Sequence, residues 1–153
     1  ENPDQMAKAV AAADEGNERA IINLVEEVLR TESPTAGMWR MVLKDAELGG
    51  MTIPRGAMVQ LRYAAANRDP AKYPDPDRFD IERANARSHL AFGKGIHMCV
   101  GNMLSRKEMA VAYSELLKRL TGFGVAEGHE PSWPPNMLLR GLTTLPIIFE
   151  RRA

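Results

Sequence analysis

Residues 92–101, FGKGIHMCVG, carry the chain's only cysteine, Cys99, two residues after His97 and among three glycines. Glycine-rich backbone ahead of a helical pattern admits several chemistries. A phosphate loop of the Walker type needs Gly-Lys followed by Ser or Thr, and here Lys94 is followed by Gly95. A dinucleotide fingerprint needs a preceding strand and a third glycine where Met98 stands. His97 and Cys99 make one i, i+2 pair that His89 or His129 would have to complete, whereas structural zinc sites show two close pairs of ligands. A thiolate facing a haem iron is a further chemistry. It needs a short loop passing close beneath a flat macrocycle, and glycines permit that approach because they have no Cβ. Backbone N–H groups and the N-terminus of the following helix would stabilise the sulfur anion. His97 would then reach outward to a propionate. The bland alternative is that a solitary cysteine is more often a small buried hydrophobe than a ligand.

The elements around this loop can be read from periodicity. Asn2-Pro3 resembles an N-cap with proline in the first turn, and predicts a helix to about residue 13. DEGN breaks it. Asn17 can cap a second helix, residues 18 to about 30, whose Ile21, Leu24, Val25, Val28 and Leu29 recur at helical spacing. MWRMVLKD alternates like a strand, with Trp39, Met41 and Leu43 on one side and Arg40, Val42 and Lys44 on the other. LGGMTIPRGAMVQLRY reads as a turn, a short strand, a second turn and another strand. Residues 64–90, rich in proline and charge, predict irregular, turn-rich structure with Tyr73, Phe79, Leu90 and Phe92 as apolar anchors. Residues 100–120 carry the strongest helical pattern, ended by Gly122, and the remainder predicts short strands and turns.

Composition sets the outer bounds. The chain has 153 residues, 44% hydrophobic and 26% charged, enough for one ordinary domain with a core. Lys plus Arg equal Asp plus Glu at 20 each, so no global field selects nucleic acid or an anionic membrane. No apolar run approaches the roughly 20 residues that cross a bilayer. The acidic opening, ENPDQMAKAV, does not read as a secretory signal. A single cysteine cannot form an internal disulfide, which predicts a reducing, cytoplasmic setting.

Phe92-Gly93-x-Gly95-x-His97-x-Cys99-x-Gly101 resembles the cysteine-ligand loop of cytochrome P450 monooxygenases in its bacterial form, with six fixed positions in ten residues. Glu27-Val28-Leu29-Arg30 looks like the Glu-x-x-Arg signature of the family's K helix, an i, i+3 pair on one helical face. ANRDP, through Asn67 and Pro70, and RSHLAFG, leading into the loop, are similar to recurrent family stretches. The resemblance runs from about residue 2 to 149 and covers much less of the family's several hundred residues. It implies a mainly α fold with small β-sheets, the C-terminal part of the P450 fold: K helix, meander, Cys loop and L helix. Residues 1–153 would be one C-terminal portion of a single domain. The oxygen-activating helix is expected before residue 1, because Thr31, Thr35, Thr52, Thr121, Thr143 and Thr144 all lack its sequence context.

Site roles follow from the same resemblance. Cys99 would be the proximal iron ligand of haem b. Phe92, Gly93, His97, Val100 and Gly101 would complete the haem-binding loop, and Arg40 with His97 would pair with the propionates. Glu27, Arg30 and Arg78 would form a buried structural triad. Thr35, Ala36, Gly37, Met38, Leu138 and Leu139 would line the substrate pocket. Lys94, Arg106 and Lys107 would face the redox partner. The implied activity is insertion of one oxygen atom from O2 into a hydrophobic organic substrate, with electrons from a ferredoxin or flavodoxin-type donor. The alternatives are a haem-binding or interaction fragment without turnover, awaiting the missing N-terminal part of the fold as companion, and a structural metal site using His97 and Cys99.

Overall fold

The computed structural model describes residues 2–152; Glu1 and Ala153, the ends of the span assigned above to one domain portion, lie outside the described residues. Three helices carry the core: α1 (Pro3–Asp14), α2 (Glu18–Glu32) and α4 (Asn102–Arg119). Alanine makes their close approach possible. Ala9, Ala12 and Ala13 of α1 meet Ile21 and Leu24 of α2 and Leu117 of α4, with Ile81 from the irregular segment. A second cluster joins Val25 and Leu29 of α2 to Ala91, and Phe92, Met109, Ala110 and Tyr113 pack against it. Phe92, which opens the cysteine loop, therefore rests on the core.

The described residues also form three two-stranded antiparallel sheets. β1 (Met38–Met41) pairs with β4 (Met58–Leu61), placing Arg40 opposite Val59. β2 (Ala46–Leu48) and β3 (Met51–Ile53) form a hairpin, and β5 (Leu120–Val125) pairs with β6 (Ile147–Arg151). A short α3 (Tyr63–Ala66) follows β4. Among the described residues no helix is long and apolar enough to cross a membrane.

Local chemistry explains most boundaries, and several differ from the periodicity reading. Asn17 caps α2 by accepting the Ala20 N–H at 3.1 Å, whereas Asn2 makes no such bond. α2 runs two residues past Arg30 and stops at Ser33, whose left-handed φ of 41° turns the chain and whose hydroxyl donates to the Arg30 carbonyl. β2 was not anticipated. Its hairpin depends on Gly49 and Gly50, both at positive φ, the combination a two-residue hairpin turn requires. Gly122 does not end α4. The helix stops at Arg119, and Gly122 lies inside β5 at φ 63°, where the register slips against β6. A left-handed glycine serves there as a bulge rather than as a helix terminator.

Gly37 sits where the chain enters β1, and a Cβ there would stand 2.5 Å from the Leu61 carbonyl oxygen of β4. The obstructing atom is backbone, so it cannot swing aside. Gly37→Ala is expected to destabilise the protein by about 1–3 kcal/mol, the usual cost of overpacking. A lowered denaturant midpoint measures it.

Candidate functional site

Glu27 and Arg30 are each 0% exposed and face one another across one turn of α2. Arg30 donates Nε to Glu27 Oε2 at 2.7 Å and Nη2 to Oε1 at 2.8 Å. The remaining guanidinium N–H groups of Arg30 reach the carbonyls of Asn67 (2.9 Å), Pro76 (2.7 Å) and Arg78 (3.2 Å). The second guanidinium on Glu27 belongs to Arg83, whose Nε lies 3.1 Å from Oε1, and not to Arg78 as the resemblance implied. The turn closed by the Arg83 N–H on the Asp80 carbonyl brings the Arg83 side chain over Glu27. Arg78 is exposed and offers its carbonyl, which accepts from Arg30 and from Arg83. Arg83 also binds the Pro74 and Asp75 carbonyls, and the Asp80 N–H donates to Glu27. The irregular segment thus hangs on two buried guanidiniums.

Asn67 extends the network toward the loop. It is fully buried; its Nδ2 donates to the Ser33 hydroxyl at 2.8 Å, and its Oδ1 accepts the Leu90 N–H at 2.7 Å. The residue beside Glu27 forms a second centre that the sequence reading missed. Glu26 is 1% exposed; it accepts from Arg106 Nε at 2.8 Å and Nη2 at 3.1 Å, and lies 2.9 Å from His89 Nε2. Burial opposes ionisation of Glu26, but the hydrogen bonds from His89 and Arg106 together hold its carboxyl below the ordinary glutamate range. Arg106 is thereby not a free docking cation. It is spent on Glu26, and its guanidinium carbon also lies 4.5 Å from the centre of the Phe92 ring. His89, weighed above as a metal recruit, is committed to the same carboxylate. A detectable signal existed: two consecutive glutamates between Leu24-Val25 and Val28-Leu29 stand in an apolar run where solvated charge is not expected.

The loop itself closes through backbone. The Cys99 N–H donates to the Phe92 carbonyl at 2.9 Å, and the Met98 N–H to the Gly95 carbonyl at 3.0 Å. Gly93 and Gly95 take φ of 69° and 78°, the left-handed conformation that needs glycine. The Asn102 side chain and N–H both donate to the Cys99 carbonyl, tying the loop to the start of α4. Cys99 is exposed, and around it in sequence stand Ile96 at 97% and Val100 at 101% exposure, with Met98 half exposed. His97, Lys94 and Lys107 are also exposed.

Arg40 is half-buried on β1, where its Nη1 bonds the neighbouring Trp39 carbonyl. The two segments assigned to the pocket do meet: Thr35 bridges Leu139, and the Ala36 N–H donates to the Leu138 carbonyl at 2.7 Å. Gly37 is buried and Met38 exposed.

The donor set can be tested against a cofactor. Among the described residues no three of His, Cys, Asp and Glu gather as metal ligands. A single sulfur is a poor chelator of a bare ion, but it suits an iron already held by four macrocycle nitrogens. Large exposed apolar side chains at positions 96, 98 and 100, next to Cys99 in sequence, suit the flat apolar face of such a ring. The residues fit a haem.

Two outcomes are expected here. Arg83→Leu should cost about 3–5 kcal/mol, because it leaves a buried carboxylate under-compensated. Arg78→Leu, which spares the carbonyl, should stay within about 0.5 kcal/mol. Equal denaturant midpoints for the two variants would contradict the assignment. The lowered native value for Glu26 also has a sign: its stabilisation is complete above the unfolded glutamate range and is lost as pH falls through the native value. Glu26→Gln should flatten that part of the acid-unfolding profile.

Comparison with known proteins places these features in company. The sequence pattern of the family described as Cytochrome P450 matches residues 21–147. Cytochrome P450 monooxygenase PikC of Streptomyces venezuelae is 40% identical over 153 residues, covering 98% of this chain and 35% of that protein. 6-Deoxyerythronolide B hydroxylase of Saccharopolyspora erythraea is 37% identical over 147 residues, covering 95% of this chain and 35% of that one. The solved structure of cytochrome P450 CYP109Q5 from Chondromyces apiculatus superposes with a TM-score of 0.88 at 40% identity, over 99% of this chain and 37% of that chain. The chain thus spans about a third of the length of the relatives it matches.

Proposed function

This chain belongs to the cytochrome P450 family and is a C-terminal portion of that fold, and from that premise we propose that the whole protein is a haem-thiolate monooxygenase. It would insert one oxygen atom of O2 into a hydrophobic organic substrate. The observation that carries this reading is the exposed sulfur of Cys99 on a glycine-shaped loop flanked by exposed apolar side chains. Relatives named as a hydroxylase and a monooxygenase support it.

Haem b, when bound, supplies an iron whose thiolate ligand favours O–O bond cleavage. The chain's own residues do the rest. Cys99 provides the sulfur anion, and α4 starts three residues beyond it, with its partial positive charge on that side. Phe92, Gly93, Val100 and Gly101 shape the surface around the sulfur; a side chain at Gly101 would begin 3.9 Å from Sγ. Arg40 and His97 would hold such a haem by pairing with its propionates. Glu27, Arg30 and Arg83 hold the irregular segment that leads into the loop. Thr35, Ala36, Gly37, Met38, Leu138 and Leu139 line one side of the substrate pocket. Lys94 and Lys107, exposed near the loop, offer charge to an acidic ferredoxin or flavodoxin-type donor.

In the full-length protein, Cys99→Ser should abolish the carbon monoxide absorption band for which the family is named. An unchanged band after reduction would overturn the ligand assignment. Arg40→Leu and His97→Leu should each lower the fraction of haem that stays bound through gel filtration. Undiminished retention in the double variant would remove both from the propionates.

A further inference from the structure

Glu26 has a connection that its ion pairs alone do not explain. His89 presents Nε2 to Glu26, while its Nδ1 accepts the Ala91 N–H at 3.0 Å. An acceptor Nδ1 means that the ring proton sits on Nε2, so the imidazole donates to the carboxylate. Ala91 directly precedes Phe92, whose carbonyl accepts the Cys99 N–H. The Phe92 ring is flanked by His89, with ring centres 6.0 Å apart, and by the Arg106 guanidinium. Both groups beside that ring are held by Glu26.

The charges facing this unit are Arg106 from α4 and Arg87, whose Nε lies 3.8 Å from Glu26. Arg87 is 70% exposed in its side chain and Arg106 only 19%. The buried member therefore does the orienting. The unit shares no side-chain partner with the Glu27 cluster: the neighbouring carboxylate binds Arg30, Arg83 and the Asp80 N–H, and that cluster extends toward the loop through Asn67, which accepts the Leu90 N–H. Glu27 holds the segment before the loop, while Glu26 holds the loop's own first turn.

We propose that Glu26 is a positioning residue for the sulfur loop, acting through the Nε2–H form of His89 and through Arg106 to fix the Phe92–Cys99 closure. This rests on the haem-thiolate reading only for its consequence, a thiolate held in ligating register; the closure itself is a property of the chain. In Glu26→Gln one carboxylate oxygen becomes an amide NH2. That group cannot accept from Arg106, so one arm is lost whichever way the amide turns.

The experiment uses the full-length, haem-loaded protein and follows hydrogen exchange at the Ala91 and Cys99 amides. The control is Leu24→Ala, which opens a cavity in the other core cluster and lowers stability without touching Glu26. Glu26→Gln should speed exchange at both amides by about tenfold beyond the control. It should also move part of the carbon monoxide absorption from the thiolate band to that of protein lacking the ligand. Exchange no faster than in Leu24→Ala would overturn the proposal. Where Glu26→Gln does not accumulate, Arg106→Gln reads the same amides with the His89 arm intact; faster exchange supports the proposal and control-level exchange sinks it. A wild-type protein with no thiolate band would refute the haem-thiolate reading, and the amide comparison would still decide the role of Glu26.

Discussion

Two adjacent carboxylates on α2 are taken out of water together. A buried carboxylate without partners costs several kcal/mol, and the cost is tolerable only when charge and hydrogen bonds surround it on all sides. Glu26 and Glu27 meet this demand in different directions, because neighbouring residues on a helix point about 100° apart. Glu27 turns toward residues 74–83 and collects Arg30 and Arg83. Glu26 turns toward α4 and the approach to the loop, and collects Arg106 and His89. One turn of one helix thus sets the position of the segments on either side of the sulfur.

The arrangement answers a backbone problem as well. Residues 64–90 form little regular structure, so their carbonyls have no ladder to join. Arg30 and Arg83 take over that role, between them binding the carbonyls of Asn67, Pro74, Asp75, Pro76 and Arg78. Among the described residues no buried side-chain nitrogen or oxygen is left without a partner. A guanidinium is suited to this, with five donors in a rigid fork. An irregular segment organised by buried guanidiniums can be rigid without being helical, because its backbone carbonyls are held as firmly as those of a ladder.

The same logic divides the cations near the loop into two kinds. Arg106, read from sequence as a surface charge, is consumed by Glu26 and by the face of Phe92. Lys94 and Lys107 keep theirs exposed. Spacing along a helix cannot separate these cases, since residues 106 and 107 both lie on α4 and differ only in which face meets α2.

Local pattern was enough for α1, α2 and α4 to within about two residues, for the capping by Asn17, and for the glycine-shaped loop that carries Cys99, because caps, helical periodicity and glycine spacing are properties of neighbouring residues. The hairpin turn at Gly49 and Gly50 was local too, but β2 has too few residues to show a period, and Gly122 could be read as a helix stop or as a bulge until its strand partner was known. What the tertiary structure alone decided was partnership. Arg83 and not Arg78 completes the Glu27 cluster; Glu26 reaches His89 sixty-three residues away and Arg106 eighty residues away. Such pairings depend on where a chain returns after an irregular path, and burial, which makes them matter, is a property of the packed whole and of no single segment.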